Sequence, residues 1–276
     1  LGLLPELLSG DGPAVARLEA GDVADLWPEP DRAGHKYSRG VLGVVAGSPA
    51  YPGAAVLVVE AACRAGVGMA RIDADTEVLG HVLQRRPEAV PAEGRVQAHV
   101  VGPGLDLDEA GGRRVAELVA GAAATGEPVV LDASGLPLLT RPELADLPAW
   151  VVLTPHAGEL ATLLTARGET VSRAEVEAAP ARHARLAAEI TGATVLLKGP
   201  VTVVAAPDGP LLAQDDGTPW LATAGAGDVL SGILGALLAG HGDRLAELAR
   251  AGENIGALIA RLAAAAALVH GTAARA

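Results

Sequence analysis

From residue 41 onward, short runs of aliphatic residues alternate with longer stretches in which apolar and polar positions mix. Residues 41–46 form a continuous apolar run ending at Gly47, the pattern of a strand buried on both faces. Helical spacing follows over 54–65. Residues 69–73 and 98–101 read as strands, and 109–124 as a helix with its charges on one face. Strands are expected again at 129–132 and 150–153, then a helix from about His156 and a longer Ala/Arg/Glu helix over 174–190. The β-branched runs 194–198 and 202–206 are separated by Gly199-Pro200-Val201. Asp208-Gly209-Pro210 marks a turn before 211–213, so this part predicts a hairpin. The chain after Gly227 reads as helical. Such alternation predicts an α/β fold with a mostly parallel central sheet and helices on both faces.

The first 34 residues do not share this rhythm. They carry Pro28, Pro30 and several acids, and read as a leader or linker with one short helix, ahead of a main domain over 35–276. The start lacks a basic leader, and acids follow at Glu6 and Asp11, so no signal peptide is expected. The longest apolar stretches, 225–240 and 255–269, are interrupted by Asp228 and Arg261, which argues against membrane spans.

Charge narrows the partners. The formal net charge of −12 argues against nucleic acid or an anionic membrane as a general partner. An anionic substrate held by backbone N–H groups and a few placed cations is still compatible. Cys63 is the one cysteine, so no intrachain disulfide can form, and a cytoplasmic location is the expectation. Only two of the 21 Lys and Arg residues are lysines, Lys36 and Lys198, and both fall in motifs. A site needing a compact ammonium cannot substitute Arg.

The most informative stretch is Thr223-Ala224-Gly225-Ala226-Gly227-Asp228, followed at once by an apolar run. Small residues let the backbone approach a ligand closely. The run reads as a helix whose first N–H groups point back into the turn, so Gly225, Ala226 and Gly227 form a ready phosphate site. Asp228 stands beside it. A carboxylate next to a bound phosphate is repelled, which fits a group that takes a proton from a hydroxyl near the phosphoryl centre. Its structural alternative is an acid that stabilises the helix dipole.

Other motifs stand at the ends of strands, where sites in such sheets lie. Ala46-Gly47-Ser48 leads through Tyr51-Pro52-Gly53 to Ala54 and Ala55, small residues at a helix start. The spacing is not a Rossmann fingerprint. Gly102-Pro103-Gly104-Leu105 is a tight turn. Asp132 suits a metal-bound water, a substrate hydroxyl or the cap of the next helix. In Thr154-Pro155-His156-Ala157-Gly158-Glu159, Thr154 is read as the N-cap and Pro155 as the first helical residue, with His156 in the first turn. No second ligand has zinc spacing. Lys198, at the end of a buried strand in Lys198-Gly199-Pro200-Val201-Thr202, favours phosphate contact over surface snorkelling.

Together with His35-Lys36-Tyr37-Ser38-Arg39-Gly40, these motifs occur in the order seen in the ADP-dependent NAD(P)H-hydrate dehydratases, which the chain resembles from about residue 35 to 270. The resemblance implies a ribokinase-like fold and a repair reaction: hydrated NADH or NADPH loses its added water at the expense of ADP, giving AMP and phosphate. It implies Asp228 as proton acceptor and Gly225 to Gly227 as donors to the transferring phosphate. Lys198, Gly199, Pro200, Val201, Thr202 and Gly227 would hold the nucleotide. Ala54, Ala55, Gly104, His156 and Asp228 would line the hydrated-dinucleotide pocket. Magnesium is expected to arrive with the nucleotide and not in a protein cage. A homo-oligomer is expected, and residues 1–34 resemble the tail of a fused epimerase domain. Two departures stand out: Thr218-Pro219-Trp220-Leu221 where an Asn and a Gly are common, and Ala226 where Thr or Ser is common. The rivals are a small-molecule kinase of the same fold, acting on a hydroxymethylpyrimidine, a thiazole or a sugar, and a non-catalytic nucleotide-binding module.

Overall fold

Eight aliphatic runs become eight strands of one sheet in the computed structural model, which describes residues 15–30, 32–91 and 93–276. They are Val41–Val45 (β1), Met69–Asp73 (β2), Ala98–Val101 (β3), Val129–Leu131 (β4), Val151–Leu153 (β5), Thr194–Leu197 (β6), Thr202–Ala205 (β7) and Leu211–Gln214 (β8). Their order across the sheet is β2-β1-β3-β4-β5-β6-β7-β8. Pairing is parallel from β2 through to β6 and antiparallel for β6–β7 and β7–β8. The expected mostly parallel sheet, ending in the hairpin, is the observed one.

The helices are Ala20–Leu26 (α1), Pro52–Arg64 (α2), Thr76–Arg85 (α3), Glu109–Thr125 (α4), Ala157–Ala166 (α5), Arg173–Ala178 (α6), Pro180–Thr191 (α7), Ala226–Arg250 (α8) and Gly256–Ala273 (α9). Alternate strand residues face opposite sides of the sheet. Leu42, Val44, Val100, Val130 and Leu196 join the core under α2, α8 and α9. Val45, Val101, Leu131, Leu153 and Val195 join the core under α4, α5 and α7. Among the described residues α9 is the one helix long and apolar enough to cross a membrane, but it is the core helix beneath β6, β7 and β8.

One expectation is corrected, one is refined and one element lies outside the expected set. The helix over 174–190 is two helices, α6 and α7, broken at Ala179 because Pro180 has no N–H with which to continue the first. The helical tail splits between α8 and α9, where Gly252 turns with φ +74°. α3 is not among the expected elements, although Val78, Leu79, Val82 and Leu83 stand at helical spacing; Val78 and Val82 are buried and the two leucines pack against the core.

Of the segment read as a leader, residues 1–14 lie outside the described residues. Residues 16–27 pack on the body. Ala16 bridges Leu212 in parallel, and Leu18, Val23 and Leu26 are buried.

Candidate active site

The carboxyl ends of β1, β3, β4, β5 and β6 converge on the N-terminus of α8, and the chain is built so that backbones touch there. Gly225 is the N-cap of α8 with φ +87°, a conformation that favours glycine. A Cβ there would also lie 2.5 Å from Leu57 Cδ1. Gly227 sits one turn-step on, where a Cβ would stand 3.3 Å from Lys198 Nζ and 3.8 Å from Asp132 Oδ2. The first N–H groups of this 25-residue helix thus open onto a corner that holds one lysine and two carboxylates.

Asp132 organises that corner. It is 1% exposed, and its oxygens accept from Lys198 Nζ at 2.7 Å, Ser231 Oγ at 2.7 Å and Ala133 N at 2.9 Å. Of the roles open to Asp132 from sequence, the local cap on Ala133 is present, and the ion pair with Lys198 is added to it. Ala133 takes φ +46°, a strained value for a residue with a Cβ, in the turn that brings Asp132 inward. Gly102 lies so close that a Cβ would strike the Asp132 carbonyl oxygen. Lys198 is therefore a placed cation, neutralised by Asp132 while its side chain stays partly accessible.

Asp228 lies in the first turn of α8. Burial is the main cause that lifts its carboxyl, repulsion from Asp132 adds to it, and attraction from Lys198 opposes both; the result is about 6. A half-buried carboxyl raised in this way is of the kind that can take up a proton.

The residues expected on the substrate side, Ala54, Ala55 and Gly104, gather around the start of α2. A Cβ on Gly104 would meet Ala54 Cβ at 2.6 Å and the Tyr51 carbonyl at 2.9 Å, and Gly47 N donates to Pro103 O at 2.7 Å. Ala55 is buried against Gly47. On the other side, Lys198 N donates to Pro155 O at 2.8 Å, which sets His156 beside Lys198. Here the expected capping is corrected. Thr154 is fully buried and Pro155 precedes the helix, so the N-cap of α5 is His156. Its Nδ1 accepts from Glu159 N at 3.1 Å, and Glu159 Oε2 accepts from His156 N at 2.8 Å. The ring remains exposed at the rim. Gly199, Pro200 and Val201 form the exposed tip between β6 and β7, with Thr202 opening β7. Ala226 opens α8.

Ser231 was not singled out from sequence. It lies three residues after Asp228 on α8, hence on the same face, and that spacing was the available signal. Among the described residues, no group of three or more His, Cys, Asp or Glu side chains could hold a metal ion. Asp132 already accepts three hydrogen bonds.

A family model for NAD(P)H-hydrate dehydratase matches residues 42–276. The chain belongs to this family. It is 50% identical over 230 residues to a bifunctional NAD(P)H-hydrate repair enzyme of Mycobacterium tuberculosis, an alignment covering 82% of this chain and 46% of that protein. The chain thus spans about half the length of such relatives. Over 219 residues it is 39% identical to an ADP-dependent (S)-NAD(P)H-hydrate dehydratase of Neisseria meningitidis, covering 74% of this chain and 71% of that one. In structure it is similar to the ADP/ATP-dependent dehydratase of Bacillus subtilis co-crystallised with ATP and Mg2+. The TM-score is 0.78 and the identity 28%, over 95% of this chain and 89% of that chain. The fold of this family is the ribokinase-like one expected from the motifs.

Proposed function

We propose that this chain restores NADH and NADPH from their hydrates, with ADP as phosphoryl donor and AMP and phosphate as products. The observation that carries the reading is Asp228 at the glycine-built N-terminus of α8, beside the Lys198–Asp132 pair. The names of the Neisseria and Bacillus relatives support a nucleotide-driven dehydration, and the former supports ADP.

Hydroxide is a poor leaving group, so the ring hydroxyl must first be converted. Asp228 accepts the hydroxyl proton as the ring hydroxyl oxygen attacks the terminal phosphorus of ADP. The bond from phosphorus to the AMP oxygen breaks. Backbone N–H groups at 225–227 stabilise the transferring phosphoryl oxygens. The bond from the ring carbon to the phosphate oxygen then breaks with its electron pair leaving on phosphate, while the neighbouring carbon gives its proton to water and the pair of that C–H bond becomes the restored double bond. Lys198 and the tip through Thr202 hold the nucleotide, while Ala54, Ala55, Gly104 and His156 line the dinucleotide side. Magnesium, arriving with the nucleotide, supplies charge neutralisation on the phosphates when bound. A homo-oligomer, a cytoplasmic location and an epimerase partner belong to the same proposal. The last is supported by the bifunctional relatives.

The test is recovery of reduced-nicotinamide absorbance from hydrated NADH with Mg2+ and either ADP or ATP. Recovery with ADP supports the reading in full. Recovery with ATP alone replaces the nucleotide. No recovery, together with a stable phosphorylated product on another hydroxylated acceptor, would establish a kinase instead.

A further inference from the structure

The chain has three Trp, two Tyr and no Phe in 276 residues, so each ring is conspicuous. Three of the five have partners in the fold. Trp27 packs against the core, Trp150 Nε1 donates to Ala123 O at 3.0 Å, and Tyr37 meets His35 edge-to-face with Lys36 over its ring. The other two are exposed: Tyr51 at 63% and Trp220 at 86%. Large apolar side chains are exposed at only two other described positions, Val15 and Val201. Val201 stands three residues after Lys198 and Trp220 five residues before Gly225, so both belong to segments that lead to the α8 corner.

Val201 and Trp220 belong together by topology. Thr202, the first residue of β7, pairs with Gln214, the last of β8. The tip carrying Val201 and the segment leading to Trp220 therefore leave the sheet at the same end and side by side. Trp220 is fixed in a one-turn 3-10 helix, Pro219–Leu221, where Thr218 Oγ1 accepts from Trp220 N at 3.2 Å. Five residues later the chain reaches Gly225. A diphosphate held at Gly225–Gly227 and Lys198 leaves its nucleoside to lie on this rim. A solvent-exposed indole is poor packing for the free protein but a stacking surface for a flat base.

We propose that Trp220 stacks on the nucleobase of the bound nucleotide, with Val201 covering the edge of the same base; this rests on the nucleotide-driven reaction proposed above. Stacking of one base on one aromatic ring corresponds to roughly tenfold in affinity. The experiment is calorimetric titration of the wild-type chain, Trp220→Ala and Trp220→Tyr with ADP and, separately, with inorganic pyrophosphate. Recovery assays on the same three proteins give KM for hydrated NADH. The expected result is ADP binding about tenfold weaker in Trp220→Ala, near-wild-type binding in Trp220→Tyr, and unchanged pyrophosphate affinity and hydrate KM. Unaltered ADP affinity in Trp220→Ala would overturn the proposal. Equal weakening of ADP and pyrophosphate would also overturn it, because Trp220 would then only hold the turn. A raised KM for the hydrate with ADP binding intact would assign the ring to the dinucleotide and overturn it too. Absence of both ADP binding and recovery in the wild type would instead sink the underlying reaction, and is read before either variant.

Discussion

At Asp228 the requirements of catalysis and of stability conflict. A carboxyl raised to about 6 in the folded chain titrates near 4 in the unfolded one. The folded state therefore holds its proton more tightly, so the fold is free of this penalty below about pH 4 and loses stability as pH rises through 6. Above pH 6 the ionised form costs on the order of 2 kcal/mol. Asp228→Asn is expected to abolish turnover, retain nucleotide binding and melt higher than wild type at pH 7, with the gain vanishing near pH 4. Calorimetric melts at the two pH values check it, and a variant with wild-type turnover would remove Asp228 from the proton-accepting role. In the wild type the acid limb of kcat/KM should lie near 6. In Asp132→Asn it should move to lower pH, since that change removes a repelling charge and leaves Lys198 without its other partner.

At the scale of elements, glycines separate packing from propensity. Gly121 lies on the exposed side of α4, and a Cβ there would meet nothing within 4 Å. Gly232 lies in α8 against α2, where a Cβ would strike the Val58 carbonyl oxygen and come within 2.8 Å of Ala61 Cβ. Gly121→Ala should therefore stabilise by roughly 0.5–1 kcal/mol. The same change at Gly232 should cost about 1–3 kcal/mol, because a backbone carbonyl cannot yield as a flexible side chain can. Denaturant unfolding of both variants decides the point; equal effects would mean that α2 and α8 are not held this close. The strands were legible because each is a short apolar run between turn signals. The corner around Asp132 was legible only in pieces, because Lys198 is 66 positions from it and Ser231 is 99. Nothing local says that these three side chains share hydrogen bonds. His156 as an N-cap was hidden for a different reason: Thr154 is the better intrinsic cap, but burial of Thr154 in the sheet's end overrides that preference.

For the whole molecule, the edge at β8 matters most. Ala16 N donates to Leu211 O and Ala16 O accepts from Ala213 N, both at 2.9 Å, so the leader covers an edge that would otherwise expose unpaired backbone groups. Leu18, Val23 and Leu26 are buried in the core that contains α9, each worth roughly 1.5–3 kcal/mol as an upper bound. Arg17 pairs with Asp215 at 2.6 Å and Asp216 at 2.9 Å, at the root of the segment that carries Trp220. Partly exposed pairs of this kind contribute at most about 1 kcal/mol each. Two changes should therefore behave differently. Arg17→Ala should leave the melting temperature nearly unchanged. Deletion of residues 1–27 should lower it by many degrees, since the loss is of buried apolar surface and sheet-edge pairing together. If the truncated chain melts with the wild type, residues 15–27 are only draped over the sheet. If Arg17→Ala alone destabilises as much as the truncation, the ion pairs and not the buried leucines hold the segment.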